Sequence, residues 1–153
     1  MKSLSRPECR VRILMTFIAV FSVLSFQNCQ SEEEITGEER ENVLKYAEPA
    51  ADSILAGHNE MNYAKYSKDF DETMKNALTE PVFRQKQGSI LSKIRKYRSR
   101  KLIKTVKQSG YVSVIYSGEF EKESGVVIRV VFRNYGDKNL AAGLWFNSPK
   151  LRE

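Results

Sequence analysis

The sequence has one histidine, two cysteines, four prolines and one tryptophan among 153 residues. One histidine and two cysteines cannot supply the four ligands of an ordinary structural zinc site, so no metal and no cofactor is expected. Eight glycines and four prolines exclude collagen-like and low-complexity chains, and an apolar content of 41% excludes wholesale disorder. No G-x-S-x-G, P-loop or H-E-x-x-H pattern occurs, so a non-enzymatic role is expected. There is also no apolar run of the roughly 20 residues that span a bilayer as a helix. What remains is enough for one domain. A chain of this length buries roughly two thirds of its unfolded surface and needs no disulfide or metal to hold a core.

Lys2, Arg6, Arg10 and Arg12 precede Ile13 to Phe26, fourteen residues without a charge. A basic start followed by about 7–15 apolar residues is the layout of a secretory signal peptide, which predicts export. Leu24-Ser25-Phe26-Gln27-Asn28-Cys29 then sets a cysteine just past the apolar run, ahead of the polar residues Gln30 to Glu34. This arrangement resembles a bacterial lipoprotein signal, in which the cysteine is acylated and becomes the first mature residue. Gln27 and Asn28 stand where such signals usually carry small residues. The resemblance implies a signal peptide over 1–28, lipidation at Cys29, attachment to the membrane through that lipid, and a cell-envelope location with the outer membrane favoured. Ordinary signal-peptidase cleavage, giving a soluble secreted or periplasmic protein, and an uncleaved helix are the alternatives. Loss of the leader takes the net charge from +6 to +3, so much of the basicity is targeting.

Residues 29–40 are acidic and read as a tether, with the domain over 41–149. Val43, Tyr46, Ala47, Ala50, Ile54 and Leu55 recur at helical spacing, with Thr36 as N-cap, Pro49 as a kink or break and Gly57 as the stop. Met61, Tyr63, Tyr66 and Phe70 suit a short second helix, Asp69 or Asp71 caps the next, with Met74, Ala77 and Leu78 facing inward, and Thr79-Glu80-Pro81 opens a further helix. After Lys96 the period changes to two. Val112–Phe120, Val126–Arg133 and Leu140–Phe146 alternate as strands, Leu102–Lys107 is a fourth, and Gly-containing turns join them into an antiparallel meander. The predicted class is α+β, with about three N-terminal helices packed on a four-stranded antiparallel sheet.

Leu55-Ala56-Gly57, Asn62-Tyr63-Ala64-Lys65-Tyr66, Thr79-Glu80-Pro81 with Gly88, and Ala142-Gly143-Leu144-Trp145-Phe146 together resemble the nuclear transport factor 2-like superfamily. The likeness is to its small bacterial secreted domains of unknown function, over 41–149. It implies a curved sheet wrapped round helices as a cone with a pocket, and dimers formed through the sheet. Relatives range from isomerases and dehydratases to ligand carriers and interaction modules, so the fold does not select a function. The expected function is a non-catalytic ligand- or protein-binding domain. The alternatives are a small-pocket enzyme and a basic surface that binds anionic lipids or glycans.

Three groups of residues carry those readings. Arg84 to Lys107 holds ten cations and no carboxylate. Within it Lys93, Arg95, Lys96, Arg98, Arg100, Lys101 and Lys104 are the candidates for an anionic envelope surface, nucleic acid being excluded by export. The bland reading is a solvated helix end and a charged strand edge. Gln30 to Glu60, with nine carboxylates and two cations, is a possible internal partner for that run. For catalysis, Asp52 is the candidate base and Tyr63, Tyr66 and Tyr116 the hydroxyl donors. His58, beside Glu60, is expected on a surface loop. Trp145, Phe146, Tyr111 and Tyr135 are candidates for an open sheet face where a second copy or an envelope protein docks.

Overall fold

The computed structural model describes residues 32–153, so the leader and Cys29 lie outside the described residues. The chain begins with β1 (Glu33–Glu34), α1 (Gly37–Glu60), α2 (Tyr63–Tyr66), α3 (Glu72–Ala77) and α4 (Glu80–Ile94). The strands β2 (Tyr97–Gln108), β3 (Tyr111–Phe120), β4 (Val126–Asn134) and β5 (Asn139–Asn147) follow, and α5 (Pro149–Arg152) closes the chain. The sheet is an open antiparallel meander in the order β1-β2-β3-β4-β5. The expected α+β class therefore holds, with a fifth strand and a last helical turn added.

The added strand comes from the acidic segment expected as a tether. Glu33 and Glu34 pair with Lys107 and Val106, and the Ile35 backbone donates to the Thr105 carbonyl at 2.8 Å. Ile35 is buried, so this stretch is fastened to the domain from Glu32 onward. The charge contrast read from the sequence is part of the fastening. Glu32 meets Lys104 at 3.1 Å and Arg129 at 3.3 Å, while Lys107 meets Glu33 at 3.2 Å and Glu39 at 3.4 Å. The Lys104 ammonium, helped by Arg129, holds the Glu32 carboxyl below its ordinary range.

α1 lays Val43, Ala47, Ala50, Ala51, Ile54 and Leu55 into the core on one stripe. Pro49 does not split it. The helix runs unbroken over 24 residues, because the buried stripe on both sides offsets the one backbone bond that proline cannot donate. Gly57 does not end it either. The helix continues to Glu60 and closes at Met61, whose left-handed φ of 52° lets the backbone turn and the following Asn62 N–H return to the Gly57 carbonyl at 2.9 Å. Gly57 serves packing instead: a Cβ there would lie 2.5 Å from the Tyr66 backbone nitrogen, so α2 crosses directly over it.

The remaining helix starts follow the sequence. Asp71 accepts from the Met74 backbone N–H at 2.7 Å to cap α3, and Thr79 precedes α4 with Pro81 in its first turn. On the sheet, Val114, Tyr116, Ile128, Val130 and Phe132 face the helices and share one core with the α1 stripe. The alternation read for β5 shifts by one residue at its start. A bulge places Ala141 opposite Phe132 and Gly143 opposite Val131, so Ala141 is buried, and Leu140 does not share a face with Leu144 and Phe146. Asp69 to Asp71 run along the free edge of β5. The Ala141 N–H donates to the Asp69 carbonyl at 2.8 Å, and the Asp71 N–H to the Ala141 carbonyl at 2.9 Å. That edge is thereby covered at Ala141.

Candidate functional site

A cleft of about 410 Å³ opens between α3, α4, α5 and β5. α4 shapes it. Phe83, Gln87 and Ile94 occupy the buried stripe of that helix, and the neighbouring stripe of Lys86, Ser89, Ile90 and Lys93 lines the cleft. Met74 and Leu78 from α3, Leu144 and Phe146 from β5, and Leu151 from α5 make the apolar walls. None of the lining residues is an Asp or a Glu.

The floor is polar but uncharged. The Gln87 Nε2 donates to the Tyr66 hydroxyl at 2.9 Å, and the Gln87 Oε1 lies 2.6 Å from His58 Nδ1. An amide oxygen only accepts, so Nδ1 carries the hydrogen and Nε2 bears the lone pair. His58 is fully buried behind the floor, its ring 5.9 Å from that of Phe146 and 5.8 Å from that of Phe120. Its Nε2 has no hydrogen-bond partner among the described residues. Burial lowers the His58 pKa against the opposing pull of Gln87 and the Arg95 backbone, and burial raises that of Tyr66. The three side chains therefore form a neutral hydrogen-bonded row that ties α1, α2 and α4 together.

The surface-loop expectation for His58 is thus corrected. The signal was present, because 58 lies four residues after Ile54 and three after Leu55 and so continues the buried stripe; reading Gly57 as a stop concealed it. The burial has a measurable consequence. The unfolded chain takes up a proton near the ordinary value of 6.5 that the folded protein resists, so stability is complete above that value and is lost as pH falls below it. The thermal midpoint, followed by circular dichroism, is expected to fall between about pH 8 and about pH 5. A His58→Gln variant should flatten that slope. A native profile with no slope across this window would contradict the burial of a neutral His58.

The sequence-derived site residues are not gathered on one surface. Lys93 lines the cleft, whereas Arg95 and Lys96 lie in the exposed turn between α4 and β2. Arg98 pairs with Glu121 at 3.4 Å, Lys101 is exposed on β2, and Lys104 is held by Glu32. Arg100 turns the other way, under α1, with its side chain only 9% exposed. It donates to Glu48 Oε2 at 2.5 Å and to Asp52 Oδ1 at 2.6 Å, and its guanidinium stands 5.0 Å from the Tyr116 ring centroid. Burial disfavours this charge, but Asp52, Tyr97 and Glu48 outweigh it and hold the Arg100 pKa above its ordinary value.

Asp52, the candidate base, is 69% exposed on α1, is committed to Arg100, and is not part of the cleft lining. Tyr116 lies buried beneath Arg100, Tyr63 borders a shallow depression with Glu60 and Arg84, and only Tyr66 reaches the cleft. Of the aromatic set, Trp145 and Tyr111 are exposed on the outer sheet face, where the indole lies against Gly143. Phe146 faces the core instead, because its partner Ile128 does. Tyr135 sits in the β4–β5 connection, where its hydroxyl donates to Asp71 Oδ2 at 2.8 Å. Gln87 in the cleft floor and His58 behind it were not singled out as a pair, since 29 positions separate them and neither stands in a motif.

The molecule is an α+β domain whose helices cover one face of an antiparallel meander and leave a cleft beside its last strand. Residues 51–141 match the model of the family described as "Protein of unknown function (DUF3887)", more than half of the chain, and the chain belongs to that family. The match includes His58, Tyr66 and Gln87, and stops short of Leu144, Phe146 and Leu151, which close the cleft. No curated protein and no solved structure matches the chain. Among the described residues no helix is long and apolar enough to cross a membrane, and no cluster of His, Cys, Asp and Glu is placed to hold a metal ion.

Proposed function

We propose that this chain is a bacterial envelope lipoprotein, anchored through Cys29, whose nuclear transport factor 2-like domain binds a small molecule in the cleft between α4 and β5. The observation that carries the binding reading is the cleft itself. Ligand sites are concave, mostly apolar and of about 300–1,000 Å³, with a few fixed polar groups. Here about 410 Å³ is walled by apolar side chains over a floor whose polar atoms Gln87 already holds in place. A role without catalysis accords with a floor that carries no charge, and with Asp52 committed to Arg100 away from the cleft. A general anionic surface is less favoured, because Arg98, Arg100 and Lys104 are each engaged by a carboxylate of the chain itself. The superfamily reading draws support from the long first helix lying on an antiparallel sheet with a pocket beside it. The anchor reading draws support from Cys29 directly after the apolar run.

Two measurements test the two halves. The intact mass of the protein taken from its native membrane fraction is expected to equal residues 29–153 plus acyl chains; an unmodified mass in the soluble fraction would contradict the anchor. Purified full chain is expected to enhance the emission of the neutral apolar dye N-phenyl-1-naphthylamine saturably. Replacement of Ile90 by Glu, which places a charge in the wall, should abolish the enhancement while leaving the thermal midpoint nearly unchanged. Absence of saturable enhancement in the native chain would contradict a ligand cleft.

A further inference from the structure

We propose that the cleft takes a single-chain anionic amphiphile, a carboxylate on an unbranched aliphatic chain; this rests on the ligand-binding reading and names its ligand class. Lys86, Ile90 and Lys93 follow one another at spacings of four and three, so two cations and an apolar side chain share one stripe of α4. Both lysines border the cleft, Lys86 exposed and Lys93 half-buried, and neither forms an ion pair among the described residues. With no carboxylate in the lining, their field at the mouth is not cancelled locally, and an anionic head is the complementary occupant. Inward of them Met74, Leu78, Leu144, Phe146 and Leu151 offer apolar surface to a methylene chain. The neutral row beneath gives a second charge no counter-ion. One charged end and one apolar end are therefore selected together.

A peptide is a poorer fit, because its backbone would bring further donors and acceptors against walls that are mostly apolar. The volume of the cleft suits one chain, which points to a free single-chain acid as the source of the ligand, and a two-chain membrane phospholipid is tested separately.

Full chain loaded with N-phenyl-1-naphthylamine is titrated with decanoate below its micelle concentration, and in parallel with decan-1-ol and decyltrimethylammonium. Decanoate is expected to displace the dye at about tenfold lower concentration than either, as an uncompensated pair of cations at the mouth predicts. The double variant Lys86→Glu, Lys93→Glu should reverse the order in favour of decyltrimethylammonium while still binding the dye, which shows that the cleft is intact. Dye binding with equal displacement by all three, or with none, overturns the anionic-amphiphile assignment and leaves the ligand cleft standing. Failure of the native chain to bind the dye removes the cleft reading itself. Sedimentation of the chain with phosphatidylglycerol vesicles, together with no displacement of the dye by decanoate, overturns the free-chain source.

Discussion

Replacing Phe83 by Ala is expected to destabilise the protein by about 3–5 kcal/mol, the range for truncating a fully buried aromatic ring. Phe83 has no exposed surface, and its ring centroid lies 4.7 Å from that of Tyr66 and 5.6 Å from that of Tyr63. It stands one turn before Gln87 on α4, so it fixes the helix that carries the amide against the two tyrosines of α2. Without the ring, the lining loses its dispersion contacts and the floor of the cleft loses the side chain that sets the height of Tyr66. Urea unfolding should show a lower midpoint with an unchanged slope. Phe83→Leu, which keeps most of the volume, should cost about 1 kcal/mol. A loss below about 1 kcal/mol for Phe83→Ala would mean that the site collapses around the gap, contrary to a rigid floor.

Gly57→Ala and Gly88→Ala are expected to have opposite signs. Both glycines lie inside helices, where alanine is ordinarily the better residue by about 0.5–1 kcal/mol. At Gly88 a Cβ would have nothing within 4 Å, so the substitution should stabilise by about that amount. At Gly57 the Cβ would lie 2.5 Å from the Tyr66 nitrogen and 2.7 Å from its Cα. Those are backbone atoms of a capped turn, held by the Asn62 side chain accepting from the Lys65 N–H at 3.0 Å, and they cannot swing aside as a flexible side chain would. Gly57→Ala is therefore expected to destabilise by about 1–3 kcal/mol or more, and to weaken dye binding by displacing Tyr66. Equilibrium unfolding of both variants decides the matter. A stabilised Gly57→Ala would contradict the close crossing of α1 and α2.

That pair also explains why part of the architecture was legible in the sequence and part was not. The starts of α3 and α4 announce themselves, because a cap such as Asp71 or the Thr79-Glu80-Pro81 triplet acts on its own backbone. The strand faces are legible for the same reason, since a two-residue period states which side is buried. A glycine is ambiguous: absence of a side chain suits a helix stop and a close approach equally, and only the position of Tyr66 selects between them at Gly57. The error then carried over to His58, whose place on the buried stripe makes sense only if the helix continues past 57.

Arg100 illustrates a different limit. Within its basic run it looks like one solvated charge among ten. Its burial depends on Glu48 and Asp52 reaching down to it from α1. The bulge between Leu102 and Lys104 then returns Lys104 to the outer face, where Glu32 is waiting. Alternation alone cannot place a cation across a bulge. The position of the cleft beside β5 depends on α3 and α5, helices of six and four residues with little apolar pattern to announce them.

The most direct test of the account is a map of amide chemical-shift changes when N-phenyl-1-naphthylamine is added to the isotopically labelled full chain. Changes are expected to be confined to Tyr66, α3, α4, Leu151 and the backbone of the Leu144–Phe146 stretch of β5. Changes centred instead on Tyr111, Val127 and Val131 of the outer sheet face, or no changes at saturating dye, would contradict the cleft as the functional site.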